Sequence, residues 1–167
     1  MARLRAVSYG IAALVFLLDR ITKIVIQRQM SVWDSYTVIP GFFNIIHTEN
    51  PGAAFSLFAG AQAEWRTFFL VGLSTAAMVL IGVLLWQPSG RMGEGRHLRL
   101  GLTLIMGGAL GNLYDRVLTG TVTDFLELYV SSFHWPAFNV ADSAITIGAV
   151  LVLIDLFQSS KRPAVNM

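Results

Sequence analysis

Apolar residues dominate four segments of this chain, and the clearest of them runs from Thr67 to Gln87 without a charged residue. About 20 apolar residues are enough to cross a bilayer as a helix. Trp65 and Trp86 lie near the two ends of the segment, as aromatic residues at membrane interfaces do. The pattern therefore predicts a transmembrane helix over residues 67–87.

The first apolar segment predicts another transmembrane helix, over residues 6–27. Arg3 and Arg5 precede it, so a cleaved secretory signal is an alternative interpretation. The run continues past residue 18 without a small-residue cleavage site, which favours a retained helix. Asp19 and Lys23 are four residues apart and share a helix face, where they can pair and point into the helix bundle. An interfacial pair without a chemical role is the alternative.

Two further spans are predicted over residues 99–116 and 138–157. The uncharged run in the earlier span is too short to cross a bilayer by itself, so the helix must extend past Asp115 or be shielded by neighbouring helices. Gly107 and Gly111 are four residues apart in it, and this spacing of small residues allows helices to pack closely.

The segment between the first two spans, residues 28–64, predicts a short β-hairpin. Residues 36–39 and 43–47 are β-prone and are separated by Pro40-Gly41. Their apolar content favours a position on the membrane surface, and Asn50-Pro51-Gly52 predicts a turn after them. We also interpret this segment as a lid over a substrate groove.

Composition agrees with a membrane protein. Hydrophobic residues make up 54% of the chain and charged residues 13%, and the mean hydropathy is +0.61. We therefore expect residues 1–167 to form a single, mainly α-helical membrane domain with four transmembrane helices. The absence of cysteine excludes disulfides, a thiol nucleophile and thiolate metal sites. The net charge of +2 gives no basic surface for DNA or RNA.

Basic residues predict the orientation of the four spans. If the chain crosses the membrane four times, the N-terminus, the loop between the second and third spans and the C-terminus lie on the same side. The basic residues in or beside these three segments are Arg3, Arg5, Arg91, Arg96, Arg99, Lys161 and Arg162. Because basic residues accumulate on the cytoplasmic side, both termini are predicted to be cytoplasmic. Segments 28–64 and 116–138 are then extracytoplasmic, which brings Asp124 and Asp142 to the outer surface together.

Two aspartates on one side of a membrane can hydrolyse a peptide bond without a metal or a nucleophilic side chain. One carboxylate deprotonates water while the other donates a hydrogen bond to the substrate carbonyl. The rival chemistries find no support, since His47, His97 and His134 lack metal-ligand spacing and no serine lies in a Gly-x-Ser-x-Gly motif. We expect neither a metal nor a cofactor.

Spacing alone leaves other interpretations of the aspartates open. Asp124 followed by Glu127 matches a helix capping box, and Asp142 with Asn139 could stabilise the start of the fourth span. Two other functions also stay open. One is a small proton-coupled transporter, suggested by the charged residues near the spans. The other is a membrane scaffold without catalytic activity.

Five short motifs in sequence order resemble those of bacterial lipoprotein signal peptidase, also called signal peptidase II. They are Asp19-Arg20-Ile21-Thr22-Lys23, Asn50-Pro51-Gly52-Ala53-Ala54-Phe55, the stretch from Gly107 to Arg116, Val122-Thr123-Asp124-Phe125 and Trp135-Pro136-Ala137-Phe138-Asn139-Val140-Ala141-Asp142. The resemblance covers about residues 10–157. It implies an inner-membrane aspartic endopeptidase that removes the signal peptide from diacylglyceryl-modified prolipoproteins and is inhibited by the cyclic peptide globomycin.

The resemblance also implies roles for particular residues. Asp124 and Asp142 would be the catalytic pair, and Asp19 and Lys23 would brace the first helix beside it. The residues expected to line or support the substrate pocket are Asn50, Gly52, Asn112, Arg116, Asn139 and Ala141. The expected partners are the prolipoprotein substrates, membrane lipids and a globomycin-like inhibitor.

Overall fold

The structure is a computed structural model that describes residues 2–52, 63–87 and 95–160. Its four helices are α1 (Ala2–Gln29), α2 (Ala63–Trp86), α3 (Arg96–Thr119) and α4 (Val140–Ser160), and its four strands are β1 (Ser35–Ile39), β2 (Phe43–Asn50), β3 (Val122–Val130) and β4 (Phe133–His134). The motif residues Ala53, Ala54 and Phe55 lie outside the described residues, as do Arg91, Lys161 and Arg162 and part of the segment interpreted as a lid.

Small residues bring α3 close to both α1 and α4. A Cβ atom at Gly107 would lie 2.7 Å from the Ala12 carbonyl oxygen of α1, and one at Gly108 would lie 2.4 Å from the Ala141 oxygen of α4. Further along, Gly101 and Gly148 face each other across α3 and α4 in the same way. The close approach predicted from Gly107 and Gly111 is therefore present, and it extends to a second face of α3.

The outer faces of the helices carry exposed apolar side chains. Among them are Leu17 and Ile21 on α1, Phe68 on α2, and Leu153 and Phe157 on α4. Large apolar side chains are normally buried in soluble proteins, so this distribution suits a lipid environment. Within the described residues, α2 and α4 are long and apolar enough to cross a membrane, whereas α1 and α3 carry charged residues along their length.

The strands form one antiparallel sheet in the order β1-β2-β3-β4. The predicted hairpin is present as β1 and β2. The prediction was incomplete, because β3 and β4 follow α3 and pair with this hairpin. The segment from Trp135 to Phe138 then folds back on β3, where Phe138 exchanges backbone hydrogen bonds with Leu126 at 2.8 and 3.0 Å.

The structure separates the two capping interpretations. The capping box suggested for Asp124 and Glu127 is wrong, because both residues lie within β3. At the start of α4 the cap is present: the Asp142 amide donates to Asn139 Oδ1 at 2.9 Å, and the Asn139 amide donates to Asp142 Oδ2 at 3.3 Å. This reciprocal pair satisfies amides that a helix start leaves free, so Asp142 has a structural role as well as a position in the site.

Candidate active site

Asp124 and Asp142 approach each other because β3 and the start of α4 meet at Asn139. The Asn139 side-chain amide donates to Asp124 Oδ1 at 2.7 Å, while its carbonyl oxygen accepts from the Asp142 amide. Asn112 on α3 donates to Asp142 Oδ1 at 2.7 Å. Each carboxylate is thus held by amide donors from an element other than its own.

The end of β2 and the turn after it are hydrogen-bonded to Asp124 and to Arg116. Asn50 donates to Asp124 Oδ2 at 2.9 Å and accepts from the Gly52 amide at 2.9 Å, which fixes the orientation of its amide group. Arg116 Nη2 donates to the Gly52 carbonyl at 2.9 Å. The Arg116 guanidinium also interacts electrostatically with Asp142 and Asp124, so it brings positive charge to the site.

A buried group of charges supports the site from α1. Lys23 Nζ lies 2.8 Å from Asp19 Oδ2, 2.7 Å from Asp115 Oδ2 and 3.0 Å from Asn112 Oδ1. Asp19 Oδ1 accepts from the Ala141 amide at 3.0 Å, and Arg20 pairs with Asp115. The ion pair predicted between Asp19 and Lys23 is present. Both side chains are completely buried, so they do not form a solvent-exposed interfacial pair.

Burial changes the protonation of Asp124. Desolvation, followed by the negative charge of Asp142, raises the pKa of Asp124 from 3.8 to about 7. Hydrogen bonds from Asn50 and Asn139 and the charge of Lys23 act in the opposite direction. Asp124 therefore exchanges its proton near neutral pH, as a general acid or base requires.

Both aspartates line a cleft with a volume of about 530 Å³. Its lining residues are Asn50, Asn112, Arg116, Val122, Asp124, Leu128, Trp135, Pro136, Ala137, Phe138, Asp142, Ser143, Thr146 and Ile147. Polar groups converge on the carboxylates and most of the remaining wall is apolar, a combination typical of substrate sites. In the described part of the chain, no group of three or more His, Asp or Glu side chains is arranged to hold a metal ion.

Every site residue named from the sequence lies at this cleft or in the network of contacts around it. Asn50, Asn112, Arg116, Asp124 and Asp142 line it. The others contact these residues or the start of α4; they are Gly52, Asn139, Ala141, Asp19 and Lys23.

Comparisons with known proteins agree with the motif resemblance. The family model described as signal peptidase (SPase) II matches residues 11–158. The lipoprotein signal peptidase of Solibacter usitatus is 50% identical over 167 residues, covering 100% of this chain and 99% of that protein. That of Maridesulfovibrio salexigens is 42% identical over 149 residues, covering 89% and 94% respectively.

The fold is also shared with a solved structure, a bacterial membrane enzyme determined by the in meso method at 2.3 Å resolution. The TM-score is 0.84 at 31% sequence identity, with 97% of this chain and 94% of that chain covered. The chain belongs to the signal peptidase II family. It is accordingly an aspartic peptidase, and the transporter and scaffold interpretations are not favoured.

Part of the apolar wall and part of the buried charge group were not predicted from the sequence. Thr146 and Ile147 lie one turn beyond Asp142 and Ser143 on α4, so helical spacing could have identified them. The spacing of Asn112 and Asp115 or Arg116 predicts a shared helix face, but the pairing of Asp115 with Lys23 on α1 was not predicted. Leu128 reaches the cleft from β3, and the sequence offered no predicted strand from which to infer it.

Proposed function

We propose that Asp124 and Asp142 are the catalytic pair of an endopeptidase that cleaves diacylglyceryl-modified prolipoproteins immediately before the lipidated cysteine. The observation that carries the proposal is the convergence of two carboxylates in one cleft, joined through Asn139. The raised pKa of Asp124 supports a pair that shares one proton near neutral pH.

In this mechanism a water molecule between the carboxylates attacks the scissile carbonyl carbon. The ionised carboxylate takes a proton from the water, and the protonated one gives its proton to the carbonyl oxygen. The tetrahedral intermediate then collapses as the C–N bond breaks, the first carboxylate returns its proton to the leaving amine, and the second recovers its own. Amide donors from Asn50, Asn112 and Asn139 keep both carboxylates oriented through these changes.

We further propose that all four helices cross the bacterial inner membrane. The exposed apolar side chains of α1, which include Leu14, Leu17 and Ile21, support a lipid-facing surface although its inner face is charged. Asp19 and Lys23 on that inner face are completely buried, so the charges that lower the hydropathy of α1 do not face lipid.

An orientation with both termini in the cytoplasm is supported by the basic side chains at one end of the bundle. At one end the Arg5 guanidinium lies 4.4 Å from the Trp86 ring centroid, and Arg99 donates to Ser8 and to the Leu85 carbonyl. At the other end Gln27 of α1 donates to Thr123, beside Asp124. Basic residues favour the cytoplasmic side, so the cleft is extracytoplasmic.

The cleft suits a substrate that is itself embedded in the membrane. Its apolar wall includes Leu128, Phe138 and Ile147, an exposed residue of α4, and the carboxylates lie near the start of that helix. A signal-peptide helix and two acyl chains can therefore enter from the lipid, with membrane lipids as neighbours. A cyclic peptide such as globomycin would inhibit by occupying the same cleft.

The test is a comparison of two matched precursors. Purified enzyme in detergent or lipid is given a prolipoprotein with diacylglyceryl-modified cysteine and the same precursor with that cysteine changed to serine. We expect cleavage before the modified cysteine, blocked by globomycin and unaffected by a chelator. Equal cleavage of both precursors would contradict the proposed substrate class.

A further inference from the structure

We propose that Glu49, with the side chains bonded to it, forms a positioning cluster that holds Asp124 in place from the opposite face of the sheet. The inference rests on the proposed function, because it takes Asp124 to be a catalytic residue. We define the Glu49 cluster as Glu49, Thr121, Thr123, His47 and Gln27.

Glu49 receives hydrogen bonds on both carboxylate oxygens, one from β3 and one from the residue directly before β3. Thr121 Oγ1 donates to Oε2 at 2.6 Å, and Thr123 Oγ1 donates to Oε1 at 2.9 Å. A hydrogen bond to a charged acceptor is stronger than one between neutral groups. Glu49 thus connects β2 to β3 at the residue directly before Asp124.

His47 connects the carboxylate to the end of α1. Its Nδ1 lies 2.8 Å from the Met30 carbonyl oxygen and its Nε2 lies 3.2 Å from Glu49 Oε1. A carbonyl oxygen only accepts, so Nδ1 is the donor of the bond to Met30. Gln27 of α1 also donates to Thr123 Oγ1 at 2.7 Å. Two bonds therefore fix this part of the sheet to α1.

Strand register explains why the cluster acts on Asp124. Glu49 lies opposite Thr123, and Thr48 lies opposite Asp124. Successive residues of a strand point to opposite faces, so Glu49 and Thr123 occupy the face away from the cleft. The register is irregular between Ile45 and Thr48, directly beside the Thr48–Asp124 pair. The cluster therefore supplies extra cross-strand bonds one residue beyond the point where the regular ladder resumes.

Loss of the cluster should therefore loosen the two amide contacts to Asp124. Those contacts come from Asn50, the residue after Glu49, at 2.9 Å, and from Asn139 at 2.7 Å. Thr123 is also joined to Asn139, which donates to its backbone carbonyl at 3.3 Å. A small shift of β3 against β2 alters the geometry of the carboxylate without removing any lining residue of the cleft.

The experiment measures kcat, KM and the pH profile of kcat for a set of matched variants. Thr123→Val removes the hydroxyl and keeps the side-chain shape, Thr123→Ser keeps the hydroxyl, and Glu49→Leu removes the acceptor. Glu127→Gln is the control: this carboxylate lies on the same sheet, accepts from Asn44 at 2.8 Å and does not line the cleft. Asp124→Asn is assayed alongside as the reference for the catalytic pair.

We expect Thr123→Val and Glu49→Leu to lower kcat about tenfold while KM changes less than about twofold, because only the orientation of a reacting group is disturbed. The descending limb of the pH profile should move to higher pH, since weaker bonds from Asn50 and Asn139 let the pKa of Asp124 rise. Thr123→Ser and Glu127→Gln should resemble the wild type.

Unchanged kcat and pH profile in Thr123→Val and Glu49→Leu would overturn the inference. It would also fail if Glu127→Gln lost as much activity and thermal stability as Thr123→Val and Glu49→Leu. The loss would then be a general effect of removing a polar contact from the sheet, not a specific effect of the Glu49 cluster. If Glu49→Leu does not fold, the Thr123→Val and Thr123→Ser pair still decides. Activity retained in Asp124→Asn would instead refute the proposed function, whereas an inactive Asp124→Asn beside a normal Thr123→Val refutes the positioning cluster alone.

Discussion

At the residue scale, the site depends on side-chain amides used in both directions. Asn139 accepts from the Asp142 amide and donates to Asp124, and Asn50 accepts from the Gly52 amide and donates to Asp124. Each asparagine fixes its own orientation with one end and orients a carboxylate with the other. An aspartate in place of either asparagine would lose the donor and bring a third negative charge to the pair.

The raised pKa of Asp124 predicts a pH-dependent contribution to stability. A carboxyl whose pKa rises on folding, here from 3.8 to about 7, binds its proton more tightly in the folded state. Between these values stability falls as pH rises, and the contribution of the bound proton is lost by the time pH passes 7. We expect the melting temperature of Asp124→Asn, in the same detergent, to rise relative to that of the wild type as pH increases from about 4 to about 7, and the difference to stay constant above that. Parallel curves for the two proteins would contradict the raised pKa.

The residue types of the site could be predicted from the sequence, but their connections could not. Asp124, Asp142 and Asn139 were identified through motif resemblance, and spacing alone left a capping interpretation open for each aspartate. In the structure Asp142 both caps α4 and faces the cleft. For Asp142, the capping role and the place in the site are therefore compatible. One of its carboxylate oxygens accepts from the Asn139 backbone amide, and the other accepts from the Asn112 side chain.

At the element scale, α3 organises the bundle through glycines on two of its faces. Gly107 and Gly111 contact α1, while Gly101 and Gly108 contact α4. The contact at Gly108 is with Ala141, the residue before Asp142. The distance between these helices therefore determines where the start of α4 holds its carboxylate.

We expect Gly108→Val to destabilise the protein by about 1–3 kcal/mol, the usual cost of overpacking, and to lower its activity. The new Cβ would lie 2.4 Å from the Ala141 carbonyl oxygen, so α4 must move. Gly72→Val on α2 is the matched control, because a Cβ there meets nothing within 4 Å. Melting temperature and cleavage rate are measured for both variants, and equal effects would show that β-branching in a helix, rather than the close approach, is responsible.

Elements with a strong local signal were predicted and those that depend on distant partners were not. The helices α2 and α4 follow from their apolar length, and the β1–β2 hairpin follows from Pro40-Gly41 between two β-prone runs. The strand β3 pairs with β2, about 80 residues earlier in the chain, and this long-range pairing has no local signature. Val122, Leu126, Leu128 and Val130 recur at even positions and offered a weaker signal, which Asp124 interrupts and Phe125 and Tyr129 on the other face obscure.

At the scale of the whole molecule, the two ends of the bundle have different chemistry. The start of α1, the end of α2 and the start of α3 meet around Arg5 and Arg99, and the sheet and the cleft lie at the other end. The outward faces between them are apolar. This division suits an enzyme that takes its substrate from the bilayer and cuts it at the outer surface.

The absence of cysteine makes the orientation directly measurable. We expect a membrane-impermeant maleimide to label Ser132→Cys, after β3, in intact spheroplasts. Ala2→Cys, at the start of α1, should be labelled only after the membrane is opened. Both positions are exposed in the structure, so burial does not explain a difference. Labelling of both, or of Ala2→Cys alone, in intact spheroplasts would contradict the proposed orientation.

The most direct test of the catalytic pair is a cleavage assay. It measures the initial rate at which Asp124→Asn and Asp142→Asn cleave a diacylglyceryl-modified prolipoprotein. Asp34→Asn is the control, since Asp34 is exposed, does not line the cleft and accepts from the Ser31 amide at 2.7 Å. We predict that Asp124→Asn and Asp142→Asn each lower the rate at least about a thousandfold, because removing one member of a catalytic unit costs about as much as removing the whole unit. Asp34→Asn should cleave at the wild-type rate. Cleavage near the wild-type rate by folded Asp124→Asn or Asp142→Asn would contradict the two-aspartate mechanism.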